Sequence, residues 1–456
     1  MGVVMNIFGF DHERVKIEVV LLIICVGGML CSIYAFYPGW MSPDSIFQYN
    51  NAVTGYYNSW HPVIMAWWWR VLGYITDGPG PFLVQNLMLF WIGFYFIAKT
   101  LSRYIGWGSI VVLLLAATPS VLIIMAQLWK DAVFTSLAIF GLGIIFRSID
   151  TGRFYKSVFL LFVFVLSLAV GCKPNGLFVA IILIGWWFIA NPKVSTKRSK
   201  LILSLTSVFL VMAIPFSISK CLPVYKISPI QYIQSYDLLG ISVIENKTLL
   251  PDYITKKVGL SKDNAREFYF PGGNNLMFYN SPAGNIATTD PEYLKDLQSR
   301  WISAIKDYPM AYIKVRFDNF IELLRWGAIH PASVAADVIV NNPWGYVFIP
   351  NKLSDNYIDS IDKYPFLYFP WIYLVTSALL FLLTKVLPRE LRFFNVVLVL
   401  VVFSFSLPHF FIAPAADYRY LHFSVVCAVV QLGMFLGFFF MRLYKRVYFG
   451  AIKLLG

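Results

Sequence analysis

The chain has 456 residues, of which 58% are hydrophobic and 13% charged, and its mean hydropathy is +0.66. Soluble domains carry about 25% charged residues, so the composition argues against a soluble globular enzyme. An aromatic content of 18% argues equally against disorder. The net charge of +13, from 37 Lys and Arg against 24 Asp and Glu, could suggest nucleic acid, but the placement of the charges decides that. Cys25, Cys31, Cys172, Cys221 and Cys427 lie in or beside apolar stretches and make neither a zinc-like spacing nor a disulfide framework.

A helix needs roughly 20 apolar residues to cross a hydrocarbon core about 30 Å thick. Charge-free windows of that kind cover 19–37, 81–98, 107–127, 132–146, 157–172, 174–190 and 201–219. After a long polar gap, three more cover 366–384, 393–413 and 420–441. The expected fold class is therefore an all-α polytopic membrane protein with about ten transmembrane helices. An eleventh stretch, 61–75, is short and interrupted by Arg70. If it crossed, every later basic cluster would fall on the non-cytoplasmic side, against the positive-inside rule. Left uncrossed, it puts Arg14, Lys99, Arg103, Arg147 and the later clusters at 193–200, 385–392 and 442–453 inside with both termini. Only Arg70, Lys130, Lys173 and Arg419 remain in short external loops. The basic excess is thus a topology signal, and nucleic acid is not an expected partner. The first window is full-length and lacks a convincing cleavage site, so no cleavable signal is expected.

Three divisions follow: 1–219, an N-terminal transmembrane module with the first external loop at 38–80; 220–365, a large external region; and 366–456, the last three helices. The first loop is expected to hold two short helices lying along the outer membrane surface. One starts with Ser42 as N-cap and Pro43 in its first turn, with Ile46, Tyr49, Asn50 and Val53 facing inward. The other starts at Pro62, with Ile64, Trp67, Trp68, Val71 and Ile75 at helical spacing. In the large region, Pro271-Gly272-Gly273-Asn274-Asn275 and Ser281-Pro282-Ala283-Gly284-Asn285 read as turns, and 291–306 and 309–326 as amphipathic helices.

A charge at a helix centre costs at least about 2.5–3.5 kcal/mol in a bilayer, and the middles of all ten windows carry none. The ionisable residues gather at external ends instead: Asp44, His61, Lys130, Asp131, Lys173, Asp417 and Arg419. A cation-lined face at headgroup depth suits a lipid phosphate, which leaves with its charge already present and needs no general acid. Such a reaction still needs a base for the acceptor's hydroxyl proton, and Asp44 is the candidate. Each residue also has a simpler role. Asp44 could only complement the dipole of its helix, His61 could cap or pack, and Lys130 and Asp131 could neutralise each other. Lys173 could snorkel, and Asp417 could be the local partner of Arg419. Arg316 is a contact for a charged acceptor or a solvated helix-face residue.

Met41-Ser42-Pro43-Asp44-Ser45-Ile46-Phe47-Gln48-Tyr49, Trp60-His61-Pro62, Trp129-Lys130-Asp131 and Asp417-Tyr418-Arg419-Tyr420 resemble the GT-C superfamily of membrane glycosyltransferases. Within it, the chain is most similar to bacterial and phage-type glucosyltransferases that decorate O-antigen. The resemblance implies a GT-C-like fold with an acidic residue between two surface-lying helices. It also implies transfer of one hexose, glucose first, from polyprenyl (undecaprenyl) phosphate to a hydroxyl of a lipid-linked polysaccharide. The reaction would occur with inversion on the periplasmic face of the inner membrane. Asp44 is then the catalytic base. Lys130, Lys173 and Arg419 hold the donor phosphate, while His61, Asp131, Asp417 and Arg316 support it or meet the acceptor. A polyprenyl-phosphate sugar synthase and a flippase would act in the same pathway. No cofactor is required, and Asp77, the one other acid in the first loop, is too far along it to support a metal pair. Two alternatives differ in kind: a flippase or transporter for lipid-linked sugars, which the uncharged windows and the lack of related halves oppose, and an O-antigen polymerase or ligase.

Overall fold

The computed structural model describes residues 2–279, 285–331, 334–335 and 338–455, with side chains described within 13–447. The second turn expected in the large region, at 281–285, lies almost wholly outside the described residues. The chain is helical almost throughout. α1 (Gly2–Phe36) leads to α2 (Pro43–Thr54), α3 (Val63–Gly73), α4 (Gly80–Ile105), α5 (Ile110–Ala116) and α6 (Pro119–Met125). Then come α7 (Lys130–Thr151), α8 (Lys156–Cys172), α9 (Leu177–Ala190) and α10 (Lys197–Lys220). The large region contains α11 (Ile230–Glu245), α12 (Asp252–Val258), α13 (Ala265–Phe268), α14 (Asn275–Phe278), α15 (Pro291–Asp307), α16 (Pro309–Leu324) and α17 (Lys352–Lys363). The chain continues through α18 (Pro370–Leu382), α19 (Arg389–Ser406), α20 (His409–Ile412) and α21 (His422–Leu455).

The expectation of about ten spans is overturned. Among the described residues, six helical segments are long and apolar enough to cross a membrane: Glu13–Phe36, Gly80–Ala116, Lys130–Thr151, Lys197–Lys220, Arg389–Ile412 and Tyr418–Val447. Window 107–127 is not one helix. Thr118 is extended and Pro119 opens a separate seven-residue helix, because proline cannot donate to the preceding turn and pushes its predecessor out of the helical region. α8, α9 and α18 are apolar but only 17, 14 and 13 residues long. The chain is a multi-pass, all-α membrane protein with fewer full-length helices than hydropathy suggests.

α4 and α7 run side by side in the same direction, since Ser136 donates to Asn86 at 3.4 Å and Arg103 pairs with Asp150 at 2.5 Å. Glycine permits their approach: a Cβ on Gly93 would lie 2.7 Å from the Ile139 carbonyl, and one on Gly143 2.5 Å from the Gly93 oxygen. Small residues at such crossings let backbones of membrane helices touch. At the Arg103 end, Lys99 pairs with Glu18 of α1 at 2.9 Å, Arg147 lies 3.8 Å from Asp150, and Met441 of α21 rests against Gly106. The basic residues and the ends of α1 and α21 nearest the termini therefore share one end of the bundle.

The opposite end is built by loops. Trp40 donates to the Ala126 carbonyl at 2.9 Å and accepts from Leu128 at 3.0 Å. On its other side Met41 donates to Val338 and accepts from Val340, each at 3.0 Å. α2 starts where expected but turns a different face inward. Ser45, Gln48, Tyr49, Asn51 and Ala52 are buried, while Asn50 and Val53 are exposed. The reason is that α2 packs on the polar segment before α7 and on Trp344 and Tyr346, not on lipid. Arg70 of α3 donates to the Ala52 and Val53 carbonyls at 2.8 and 3.0 Å and so satisfies the C-terminal turn of α2. β1 (Tyr57–Asn58) pairs in parallel with β2 (Val224–Tyr225), which ties the first loop to the large region.

That large region has its own apolar cluster, built around Tyr236, Leu239, Ile241, Met277, Phe278 and Val315. The expected helices are present as α15 and α16. α11, which hydropathy did not reveal, is its centre: ten residues from Tyr232 to Ser242 are buried, polar and apolar alike.

Candidate active site

Asp44 sits in the first turn of α2, where a carboxylate complements the helix dipole. Ser42 occupies the N-cap but makes no side-chain cap bond, because its hydroxyl accepts from Trp129 Nε1 at 2.7 Å. Ser45 donates to the Leu128 carbonyl at 3.0 Å. Both contacts clamp the start of α2 against the start of α7, so Asp44 faces the Trp129-Lys130-Asp131 segment.

Asp44 Oδ2 accepts from Arg419 Nη1 at 2.9 Å, across 375 residues of sequence. Arg419 also reaches Asp417 Oδ2 from Nε and Nη2, each at 3.1 Å. Its guanidinium lies 4.5 Å from the Trp129 ring centroid, a cation–π distance. His61 Nε2 stands 3.7 Å from Asp44 Oδ1. Burial, then Lys130, pushes the His61 imidazole down to about 4, so it is neutral at pH 7. Burial alone would raise the Asp44 carboxyl, but Arg419, His61 and Lys130 together outweigh it and hold the group below its ordinary value. Asp417 goes the other way: burial raises it, and Arg419 offsets only part of that.

Lys173 follows α8 and is buried. Its ammonium pairs with Asp131 Oδ1, donates to the Tyr420 carbonyl at 3.3 Å and lies 4.9 Å from the Phe405 ring centroid. Lys130 and Asp131 thus do not neutralise each other as an isolated pair. Successive helical residues point in different directions, so Asp131 turns to Lys173. The Lys130 ammonium makes no hydrogen bond or ion pair among the described residues.

Lys130 instead lines two cavities. One, of about 180 Å³, is lined by Lys130, Lys173, Asn175, His409 and Tyr420 together with the apolar Cys172, Pro174, Ile412 and Pro414. Ile412 is 44% exposed in the lipid-type surface that includes Phe411 and Leu407, so this cavity borders the outside of the bundle. The other, about 10 Å³, is water-sized and lies among Asp44, Ser45, Gln48, His61, Trp129, Lys130 and Arg419.

The structure brings Asp44, His61, Lys130, Asp131, Lys173, Asp417 and Arg419 to one place. It does not bring Arg316 there. Arg316 is buried on α16, where Nη2 pairs with Asp237 Oδ2 at 2.5 Å and Nη1 donates to the Ala413 carbonyl at 3.1 Å. That departs from a solvated helix face, because α16 packs against α11 rather than standing in water. His409, Asn175 and Gln48 line the cavities without having been singled out. His409 was counted within an apolar window, although a histidine there is itself a signal; its Nδ1 donates to the Phe405 carbonyl at 3.0 Å, leaving Nε2 to accept from Asn175 at 3.5 Å. Among the described residues, no three His, Cys, Asp or Glu side chains are grouped to hold a metal ion.

No family model, curated protein or solved structure matches this chain. Its chemistry is therefore read from the site itself.

Proposed function

We propose that the chain is a membrane glycosyltransferase of the GT-C type, transferring one hexose from polyprenyl phosphate to a hydroxyl of a lipid-linked glycan such as O-antigen. The observation that carries this reading is the position of Lys130, on the wall between a cation-lined cavity at the bundle's outer surface and a small cavity holding the Asp44 carboxylate. A lipid phosphate entering the larger cavity would meet Lys130 and Lys173 while its prenyl chain leaves past the half-exposed Ile412. The acceptor hydroxyl would approach from the Asp44 side.

In the reaction, the acceptor oxygen bonds to the anomeric carbon and the bond from that carbon to the phosphate oxygen breaks. The electron pair stays on the phosphate, whose charge rises from −1 to −2, and the acceptor's proton passes to Asp44. Attack from the face opposite the phosphate inverts the centre. Lys130, Lys173 and Arg419 stabilise the added negative charge, which a preorganised site does far better than water. The grouping of Lys99, Arg103 and Arg147 with the terminal ends of α1 and α21 supports a cytoplasmic assignment for that end. The site then faces the periplasm from the inner membrane.

The test is purified chain in liposomes given a polyprenyl-phosphate hexose and a lipid-linked glycan. The expected result is a new glycosidic bond with equimolar polyprenyl monophosphate, reduced about 10²-fold or more by Lys130→Ala or Lys173→Ala. Movement of labelled lipid between leaflets with no new bond, or transfer only from diphosphate-linked oligosaccharides, would overturn the reading.

A further inference from the structure

Arg419 carries two duties that compete, if the glycosyltransferase reading on which this inference rests is right. Its guanidinium is already committed, with Nη1 on Asp44 at 2.9 Å and Nε and Nη2 on Asp417 at 3.1 Å. Its side chain is only 14% exposed. A phosphate arriving at Arg419 must therefore displace one of the two carboxylates.

The two are not held equally. Asp417 is two residues away in the chain and engages two guanidinium nitrogens. Its loop is pinned by Ala416, which donates to the Gly272 carbonyl at 2.8 Å, and by Arg316, which donates to the Ala413 carbonyl at 3.1 Å. Asp44 comes from a separate segment, engages one nitrogen, and keeps 40% of its side-chain surface exposed. The exchangeable partner is Asp44.

We propose that Asp44 is the resting counter-ion of the donor-phosphate cation: the phosphate takes Arg419 from Asp44, and the carboxylate so released takes the acceptor's proton, so the donor binds before the acceptor. Asp417 is a positioning residue that keeps the guanidinium in place through the exchange. Once Arg419 turns to phosphate, Asp44 loses its strongest cationic neighbour, so its basicity rises when it is needed. His61 does not replace the lost charge, since its imidazole is neutral at pH 7. The resting ion pair also keeps the base quiet when no donor is bound.

The experiment is equilibrium binding of radiolabelled geranyl phosphate, a short polyprenyl monophosphate, to the full chain in detergent, which requires no transfer chemistry. Asp44→Asn should tighten Kd about tenfold, or about 1.4 kcal/mol, Arg419→Ala should weaken it at least as much, and Asp417→Asn should not tighten it. Equal tightening by Asp44→Asn and Asp417→Asn would mean simple charge repulsion and would overturn the proposal. So would unchanged or weaker binding in Asp44→Asn while Arg419→Ala still weakens it, a result that leaves the glycosyltransferase reading standing. If Arg419→Ala binds as wild type does, the assignment of Arg419 to the phosphate fails as well. Thermal unfolding checks each variant, and Asp44→Ser serves if the asparagine form does not fold.

Discussion

Asp44→Asn lowers kcat/KM for hexose transfer by about 10²–10⁴, the range over which a positioned general base acts. The amide keeps the size of the side chain and its place in the first turn of α2 but has no lone pair basic enough to take the acceptor's proton. The loss falls on kcat, because donor binding is not weakened. The pH profile gives the matching sign. The Asp44 carboxyl lies below its ordinary value because Arg419, His61 and Lys130 together outweigh the effect of burial, so the acid limb of wild-type kcat/KM for the donor, which reports the free enzyme, lies below the free aspartate value of about 3.9. Arg419→Gln removes the cation, leaves the burial, and moves that limb upward. A wild-type limb near 6, or full transfer in Asp44→Asn, contradicts the role of this carboxylate.

Arg316→Ala destabilises the protein by about 3–5 kcal/mol, the cost of leaving a buried charge without its partner. Arg316 and Asp237 are both fully buried. Asp237 Oδ2 also accepts from Trp301 Nε1 at 2.8 Å, so one carboxylate joins α11, α15 and α16. Burial already raises the Asp237 carboxyl, with Arg316 as the largest opposing influence. Without Arg316 the group rises further. A raised folded-state value favours the fold at low pH and loses that contribution as pH climbs through it. The deficit of Arg316→Ala therefore shrinks in acid and grows toward neutrality. Unfolding in detergent measures it, and adding Asp237→Asn recovers part of the loss. A deficit under about 1 kcal/mol, or none recovered by the second change, shows that the pair does not hold this region together.

Local features of the site were legible because they depend on near neighbours in sequence. Ser42-Pro43 marks the start of α2, and an aspartate in the next position reads directly as a first-turn charge. The apolar stripe of α15 was equally visible, since Leu297 and Trp301 face the large region's core; that of α16 was misread, because Ile313 and Phe317 are exposed and the helix buries Ala311, Val315, Arg316, Asn319 and Leu323 instead. Partners were not legible. Lys130 and Asp131 are adjacent in sequence, yet Asp131 pairs with Lys173, 42 residues on. The pairing of Arg419 with Asp44 spans nearly the whole chain, and no local pattern encodes it. The number of full-length helices was overestimated because hydropathy averages composition over a window: it is blind to the break that Pro119 makes, and it counts α8, α9 and α18, which are apolar but only 17, 14 and 13 residues long. α11 escaped for a related reason: Gln231, Gln234, Ser235 and Asp237 are buried beside its apolar residues, so it shows no clean apolar stripe.

The central claim is that a lipid phosphate occupies the cavity beside Lys130 and Lys173. Photo-crosslinking with a polyprenyl phosphate carrying a diazirine on the carbon chain next to the phosphate, followed by mass-spectrometric mapping, tests it directly. The account predicts adducts on Ile412, Pro414 or Cys172, suppressed by excess unlabelled lipid and lost in Lys130→Ala combined with Lys173→Ala. Adducts confined to other surfaces, or undiminished when both lysines are removed, would contradict it.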